Sequence, residues 1–263
     1  MNSIMENKIA LVTAASQGLG KAAAAAIARK GATVIICSRR KNAITRAAQE
    51  IHEQTGTTVI PLVADVSKAG DIGRLVAYAK RKFGTVHILV NNAGGPPTGD
   101  ILSMTDAEWK RGFELTLMSV VRLTRAVLPY MIKQKWGRII TITSIAGKQP
   151  INDLLISSTL RPGIHGLMKV LSNKYARYNI TINSICPGNI LTSRQEELIQ
   201  ERSAKRKIST AEYLAEVTKD IPAGRLGTPQ EIGDVIVFLA TDEANYINGV
   251  NLLVDGGMAK GIH

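Results

Sequence analysis

The run Ile9-Ala10-Leu11-Val12-Thr13-Ala14-Ala15-Ser16-Gln17-Gly18-Leu19-Gly20-Lys21-Ala22-Ala23-Ala24-Ala25-Ala26 changes character twice. Its first four residues are apolar, and a run this short bounded by small residues reads as a buried strand. Its last part is alanine-rich and predicts a helix over Gly18 to Lys30, ended by Gly31. Between them lies a loop of small, hydroxylic and glycine residues. Such a loop lets backbone approach a pyrophosphate, and the following helix offers unpaired N–H groups and a positive dipole end. A glycine-rich loop alone says little; between strand and helix it predicts a dinucleotide site.

The same alternation continues outward. Strands are expected at Lys8 to Thr13, Thr33 to Cys37, Thr58 to Val63, Ile88 to Asn91, Arg138 to Thr143, Thr181 to Cys186 and Leu252 to Val254. Helices are expected over Lys41 to Gln54, Gly70 to Phe83 and Ser158 to Tyr178. Thr105-Asp106-Ala107-Glu108 and Thr228-Pro229-Gln230-Glu231 each have the form of a capping box that opens a further helix. Short β-branched runs alternating with helices predict an α/β fold, a Rossmann-type doubly wound parallel sheet with helices on both faces. With neither internal repeat nor linker, residues 1–263 are expected to form a single dinucleotide-binding domain. The charged, helix-prone residues 193–222 follow the C-terminal end of a strand, where open α/β sheets bind ligands, and are expected to be a substrate lid.

Composition narrows the function. At 45% hydrophobic and 4% aromatic content the core must be aliphatic. No stretch approaches the roughly 20 apolar residues of a membrane span, and Met1 to Lys8 shows no signal-peptide apolar region, so a cytoplasmic location and no membrane partner are expected. The two cysteines, Cys37 and Cys186, and the histidines His52, His87, His165 and His263 lack metal-ligand spacing, so no metal is expected. The formal charge of +12 is dispersed over Arg39-Arg40-Lys41, Lys80-Arg81-Lys82, Lys133 to Arg138 and Arg202 to Lys207 without interleaved aromatics. That pattern predicts solvated surface and attraction for a phosphorylated cofactor, not nucleic-acid binding.

The ordered motifs resemble those of the short-chain dehydrogenase/reductase family, in particular its 3-oxoacyl-acyl-carrier-protein reductases. Thr13, Gly18 and Gly20 match the family's Thr-Gly-x-x-x-Gly-x-Gly, with Ala14 in place of the first glycine. A methyl group there is expected to require a negative φ. Asp65-Val66, Asn91-Asn92-Ala93-Gly94, the strand Gly137 to Gly147 and Pro187-Gly188-Asn189-Ile190-Leu191-Thr192 follow in family order. Arg225-Leu226-Gly227-Thr228-Pro229 and Val254-Asp255-Gly256-Gly257 complete it. The resemblance implies cofactor contacts at Thr13, Ala15, Ser16, Gln17, Gly18, Leu19 and Gly20. It implies others at Ser38, Arg39, Arg40, Asp65, Val66, Asn92, Ala93, Gly94, Arg161, Pro187, Gly188, Ile190 and Thr192.

The second strand ends in Ser38, Arg39 and Arg40, where a carboxylate would select the ribose 2′-OH of NAD(H). A serine hydroxyl and guanidinium forks suit a 2′-phosphate, so NADP(H) is expected in preference to NAD(H).

At the catalytic positions the resemblance implies a serine that binds the reacting oxygen, a tyrosine that transfers the proton, a lysine four residues later and an asparagine on a neighbouring helix. The residues here are Ser144, Ser157, Arg161 and Thr116. A phenol starts near pKa 10, whereas an aliphatic hydroxyl starts higher and makes a poor direct acid. Arg161 keeps the positive charge, and Ser144 and Ser157 together can hydrogen-bond a carbonyl. The proton is then left to an ordered water, a substrate group or the 192–222 segment. Pro162 removes a helical donor and could turn Arg161 aside. A Tyr-x-x-x-Lys does occur at Tyr78 to Lys82, on a helix away from the reactive end.

Two functions are consistent with these residues. One is an NADP(H)-dependent oxidoreductase interconverting a carbonyl and an alcohol by hydride transfer, with a remodelled site at Ser144, Ser157 and Arg161 and a small-molecule substrate. The other is an NADP(H)-binding protein without redox turnover, a sensor or non-catalytic subunit. The resemblance implies a homo-oligomer, tetramer or dimer.

Overall fold

The computed structural model describes residues 4–261; the first three residues, Ile262 and His263 lie outside the described residues. Seven strands form one sheet: β1 (Ile9–Val12), β2 (Thr33–Ser38), β3 (Val59–Val63), β4 (Ile88–Asn91), β5 (Gly137–Ile142), β6 (Ile180–Pro187) and β7 (Asn251–Val254). Their spatial order is β3-β2-β1-β4-β5-β6-β7, and every pairing is parallel. A parallel sheet is covered on both faces, so its central strands β1, β4, β5 and β6 are buried along their whole length, Arg138 and Asn183 included.

Helices α1 (Gly18–Arg29), α2 (Lys41–Thr55) and α9 (Pro229–Ala240) cover one face, through the alanines Ala23 to Ala28 and through Ile44, Ile51, Ile232 and Ile236. Helices α3 (Ala69–Phe83), α5 (Ser119–Gln134) and α6 (Leu155–Tyr175) cover the other, through Leu75, Leu123, Met131, Ile164 and Met168. Small alanines on α1 let α9 lie close, and a Cβ on Gly233 would sit 3.0 Å from the Ala22 carbonyl. The order in which strands are added reverses between β1 and β4, which opens a crevice at their carboxyl ends.

The structure changes several element limits expected from sequence. Thr13 leaves the first strand, because its side chain and N–H turn toward the chain end of β4. Helix α6 starts at Leu155, after a 3₁₀ turn at Asn152–Leu154, and ends at Tyr175, where Ala176–Tyr178 tighten before Asn179 at φ 58°. The capping boxes at Thr105 and Thr228 form as expected, and Ser209–Glu212 makes a third. The helix after Thr105, α4 (Asp106–Phe113), passes through a π turn at Glu114–Met118 before continuing as α5.

The run Asp106–Gln134 is long and apolar enough, by length and composition, to cross a membrane. That departs from the reading of the sequence. Here Val120, Leu123, Val127 and Met131 are buried in the core.

Residues 193–222 fold as α7 (Ser193–Arg206) and α8 (Thr210–Thr218), held by a small separate cluster of Ile199, Tyr213, Ile221 and Leu226.

Candidate active site

The loop after β1 is built by hydrogen bonds that the sequence does not display. Thr13 Oγ1 donates to the Asn92 carbonyl at 2.7 Å and accepts from the Asn92 N–H at 2.9 Å. The Asn92 carboxamide donates to the Thr13 and Ala14 carbonyls, each at 3.2 Å. The Ala15 N–H donates to the Cys37 carbonyl at 3.0 Å. The loop is thus tied to both β4 and β2. Its shape contradicts one expectation: Ala14 sits at φ 48°, in the left-handed region, not at a negative φ. The surrounding bonds hold an alanine where glycine would rest without strain. Gly18, at φ 58°, needs its freedom; at Gly20 a Cβ would lie 2.6 Å from both the Ala14 carbonyl and the Asn92 carboxamide nitrogen.

A crevice of about 790 Å³ opens above this loop. Ser16, Gln17, Gly18 and Leu19 line one part of it; Ser38, Arg39, Arg40, Asp65 and Val66 line another. Asn92, Ala93, Gly94 and Thr192 reach it as well. Thr13, Ala15 and Gly20 are buried behind the loop and shape it without lining the opening. Asn92 braces the loop with its side chain. Ala64, Ser67, Pro96, Pro97, Thr98 and Arg111 also line the crevice and were not foreseen. Arg111 lies in the helix that Thr105 caps and the others follow strand ends, but nothing in their spacing marks them.

Electrostatics differ along the crevice. Arg39 and Arg40 are exposed at its outer end, with no carboxylate on β2 to oppose an anion. Burial pushes the Asp65 carboxyl up, but hydrogen bonds from the Ser67 hydroxyl and N–H, with Arg39 and Lys68 nearby, hold it below the usual carboxylate range. Cys37 is buried and its thiol is pushed up to about 12 by that burial, so it is inert.

Ser144, Ser157 and Arg161 do not line this crevice. Ser144 follows β5 and its Oγ accepts from the Ala146 N–H at 3.1 Å. Ser157 and Arg161 lie one turn apart on α6, and Arg161 Nε donates to Ser157 Oγ at 2.7 Å. A second guanidinium contact reaches the Ile142 carbonyl at 3.5 Å. The helix runs through Pro162, so the proline does not turn Arg161 away from Ser157. Burial pulls Arg161 down to about 10, and it remains a cation at neutral pH. Beside it a cavity of about 10 Å³ is lined by Asn91, Thr116 and Asn92, and the Asn91 Oδ1 and Thr116 Oγ1 atoms have no partner there. Thr116 is carried by the π turn.

His165, one turn beyond Arg161, was not singled out from sequence. Its Nε2 lies 3.0 Å from Thr143 Oγ1 and 3.5 Å from Cys186 Sγ, joining α6 to the ends of β5 and β6. The turn after β6 is placed by Gly188, where a Cβ would lie 2.7 Å from Asp255 Cβ, and by pairing of Ile190 with Gly227. Thr192 caps α7 by accepting from the Gln195 N–H at 3.3 Å. Pro187, Gly188 and Ile190 stand at this border and do not line the main crevice. Tyr78 and Lys82 lie on α3, outside it.

A glycine-bearing loop and helix N-terminus at the switch point, with a basic outer end and the bonded Arg161–Ser157 pair on α6, define an oxidoreductase built around a phosphorylated dinucleotide. The family model described as enoyl-(acyl carrier protein) reductase matches residues 13–259. The chain is 38% identical over 253 residues to the 3-oxoacyl-[acyl-carrier-protein] reductase FabG of Escherichia coli K12, covering 96% of this chain and 98% of that one. L-Sorbose reductase from Gluconobacter frateurii, in complex with NADPH and L-sorbose, matches with a TM-score of 0.95 and 31% identity over 100% of both chains. A variant of actinorhodin polyketide ketoreductase with NADPH matches with a TM-score of 0.91 and 30% identity, over 99% of this chain and 100% of that one.

The chain belongs to the short-chain dehydrogenase/reductase family. It is an NADP(H)-dependent oxidoreductase of the carbonyl–alcohol type.

Proposed function

We propose that the crevice holds NADP(H) with its 2′-phosphate at Ser38, Arg39 and Arg40, its pyrophosphate over Gly18 to Gly20 and its adenine beside Asp65 and Val66. Its nicotinamide end then lies near Asn92 to Gly94, Arg161 and the Pro187 to Thr192 turn. The close approaches at Gly20 support this, since any side chain there would occupy the space the backbone loop needs. We further propose that Ser144, Ser157 and Arg161 receive the oxygen of a small carbonyl or hydroxyl compound.

The observation that carries the catalytic reading is the bond from Arg161 Nε to Ser157 Oγ. Ser157 accepts from a cation, so its own O–H is free to donate and is polarised to donate strongly. Ser144 likewise accepts from a backbone N–H and keeps its O–H free. Two hydroxyl donors backed by a fixed charge make a site for developing negative charge on a carbonyl oxygen. The bound cofactor supplies the hydride. Arg161 stabilises the oxyanion as a cation and does not itself lose a proton. Protonation therefore falls to water or to the substrate, and the small cavity beside Arg161 has room for about one water.

Helices α7 and α8 act as a lid in this reading, supported by their separate small core and by Thr192, which caps α7 at the crevice edge. The substrate is small and the location cytoplasmic. The chain assembles as a dimer or tetramer, consistent with the exposed apolar residues Leu252 on the edge strand β7 and Phe238 on α9.

The test is NADPH oxidation followed against a panel of ketones and 3-oxoacyl thioesters. Ser144→Ala is expected to lower kcat by about 10²-fold, the usual cost of one oxyanion donor. Turnover no greater than that of the Ser144→Ala protein, across the panel, would refute the assignment. Tight NADPH binding in that case would favour a non-catalytic role.

A further inference from the structure

Basic residues that are scattered along the chain are gathered by the fold at one edge. In a parallel sheet each crossover helix ends beside the amino end of the next strand, so α3, α5 and α6 all end at the edge opposite the cofactor crevice. Lys80, Arg81 and Lys82 stand exposed at the end of α3. Lys133 and Lys135 do so at the end of α5, and Lys174 and Arg177 at and just beyond the end of α6. Hydrogen bonds join the three ends. Thr85 Oγ1, after α3, donates to Gln134 Oε1 of α5 at 2.5 Å. The Asn179 carbonyl, after Arg177, accepts from the Gly137 N–H at 3.2 Å and from Arg138 Nη1 at 3.0 Å. With neighbouring helices about 10 Å apart, the basic ends span about 20 Å.

No acid belongs to this layer's later turns. Residues 72–99, 115–152 and 154–195 contain neither Asp nor Glu, so α5 and α6 carry cations alone. Among the described residues, every ion pair uses other cations. A cation in a helix's last turn complements the dipole by about 0.3–1 kcal/mol, which accounts for a basic residue at each end. It does not account for two helices without an acid along their whole length, since a one-signed surface repels itself. The backbone shows a second cost. Helices α2 and α3 end on glycines at φ 68° and 77°, whereas α5 ends on Lys135 at φ 51°. A lysine is held where glycine would rest without strain.

Packing also sets half-buried rings among these cations, against the expectation of solvated charge without aromatics. Tyr130 lies 6.0 Å from Lys80 Nζ and Tyr78 5.8 Å from the Arg81 guanidinium. Tyr175 and Tyr178 lie 5.7 and 5.2 Å from Lys174 and Arg177. Among the described residues, no exposed large apolar side chain lies in the last turns of these helices or in the turns after them. A protein interface has an apolar centre, and a membrane-surface element has apolar anchors. A phosphodiester chain needs neither: cations neutralise its phosphates, and aromatic rings accept its bases.

We propose that this edge, formed by the ends of α3, α5 and α6, binds the backbone of a single-stranded nucleic acid without reading its sequence. The surface lies opposite the cofactor crevice and is independent of the redox reading.

The experiment is fluorescence anisotropy of labelled thymidine and uridine 20-mers titrated with the NADPH-saturated protein, so that Arg39 and Arg40 are already occupied. Both strands are expected to bind with similar Kd, about 1–100 µM, and with log affinity falling by about 0.7 per neutralised phosphate for each decade of salt. Lys174→Glu/Arg177→Glu is compared with Lys219→Glu/Lys260→Glu, an equal charge change on segments that follow the carboxyl ends of β6 and β7. The first variant should weaken binding at least tenfold and flatten the salt slope by about 1, with NADPH affinity unchanged as the check on folding. Equal losses in the two variants would overturn the proposal, as would no binding at 100 µM protein in 50 mM salt. Poly-glutamate competing as well as an unlabelled 20-mer, or phosphatidylglycerol vesicles binding where the 20-mers do not, would overturn it in favour of an acidic protein or a membrane.

Discussion

His165 should make this protein acid-sensitive in a way that one substitution exposes. Burial, followed by the charges of Lys148 and Arg161, brings the imidazole from 6.5 down to about 4. The unfolded chain takes up this proton near pH 6.5, while the folded chain resists until about pH 4. Between those values the unfolded state binds more protons, so the stabilisation is complete above about pH 7 and is lost as pH falls toward 4. At 1.36 kcal/mol per unit, the loss is about 2 kcal/mol at pH 5 and about 3 kcal/mol at pH 4.

His87 is depressed in the same direction, by burial and by Lys8, so the acid loss of the wild type contains both contributions. Urea unfolding of wild type and His165→Gln at pH 7.5, 6, 5 and 4 separates them. The stability difference between the two proteins should shrink by about 3 kcal/mol across the series. Parallel curves, with a difference independent of pH, would refute the reasoning. The position also matters for the site, because the contacts at 3.0 and 3.5 Å join Thr143, next to Ser144, to Cys186, next to Pro187. Activity should therefore fall on the acid side before global unfolding.

Ala14→Gly should stabilise the protein. Releasing the left-handed alanine at φ 48° gains about 1–2 kcal/mol, offset by roughly 0.4–1 kcal/mol of added unfolded-state freedom. At about 2.1 cal/mol/K per residue, a net gain of about 1 kcal/mol in 263 residues raises Tm by about 2 °C in a calorimetric scan. Gly20→Ala should act oppositely, since its methyl would meet the Ala14 carbonyl and Asn92 at 2.6 Å; a lower Tm and weaker NADPH fluorescence enhancement are expected. Arg39→Asp should lower NADPH affinity relative to NADH by about 10–100-fold, the worth of one or two charge-assisted hydrogen bonds. Relative affinities that stay the same would remove Arg39 from the 2′-phosphate site.

Local pattern was enough for the architecture and for much of the crevice. Short β-branched apolar runs bounded by small residues read as buried strands, alanine-rich and capped segments read as helices, and their alternation implies a parallel sheet. The loop leading into Gly18, Ser38 to Arg40 and Asn92 to Gly94 were legible because each lies at the carboxyl end of a strand. Contacts between distant segments were not. That Ala14 takes a positive φ depends on Asn92, far along the chain, gripping its carbonyl. That Arg161 stays beside Ser157 despite Pro162 depends on a helix beginning earlier than its sequence suggests. The meeting of His165 with Thr143 and Cys186, and the close approach of Gly147 to α6, arise from where β5, β6 and α6 converge. Periodicity and capping act over a few residues and are written in the chain itself. Charge balance and backbone strain are settled by what lies across the fold, and only tertiary packing decides them.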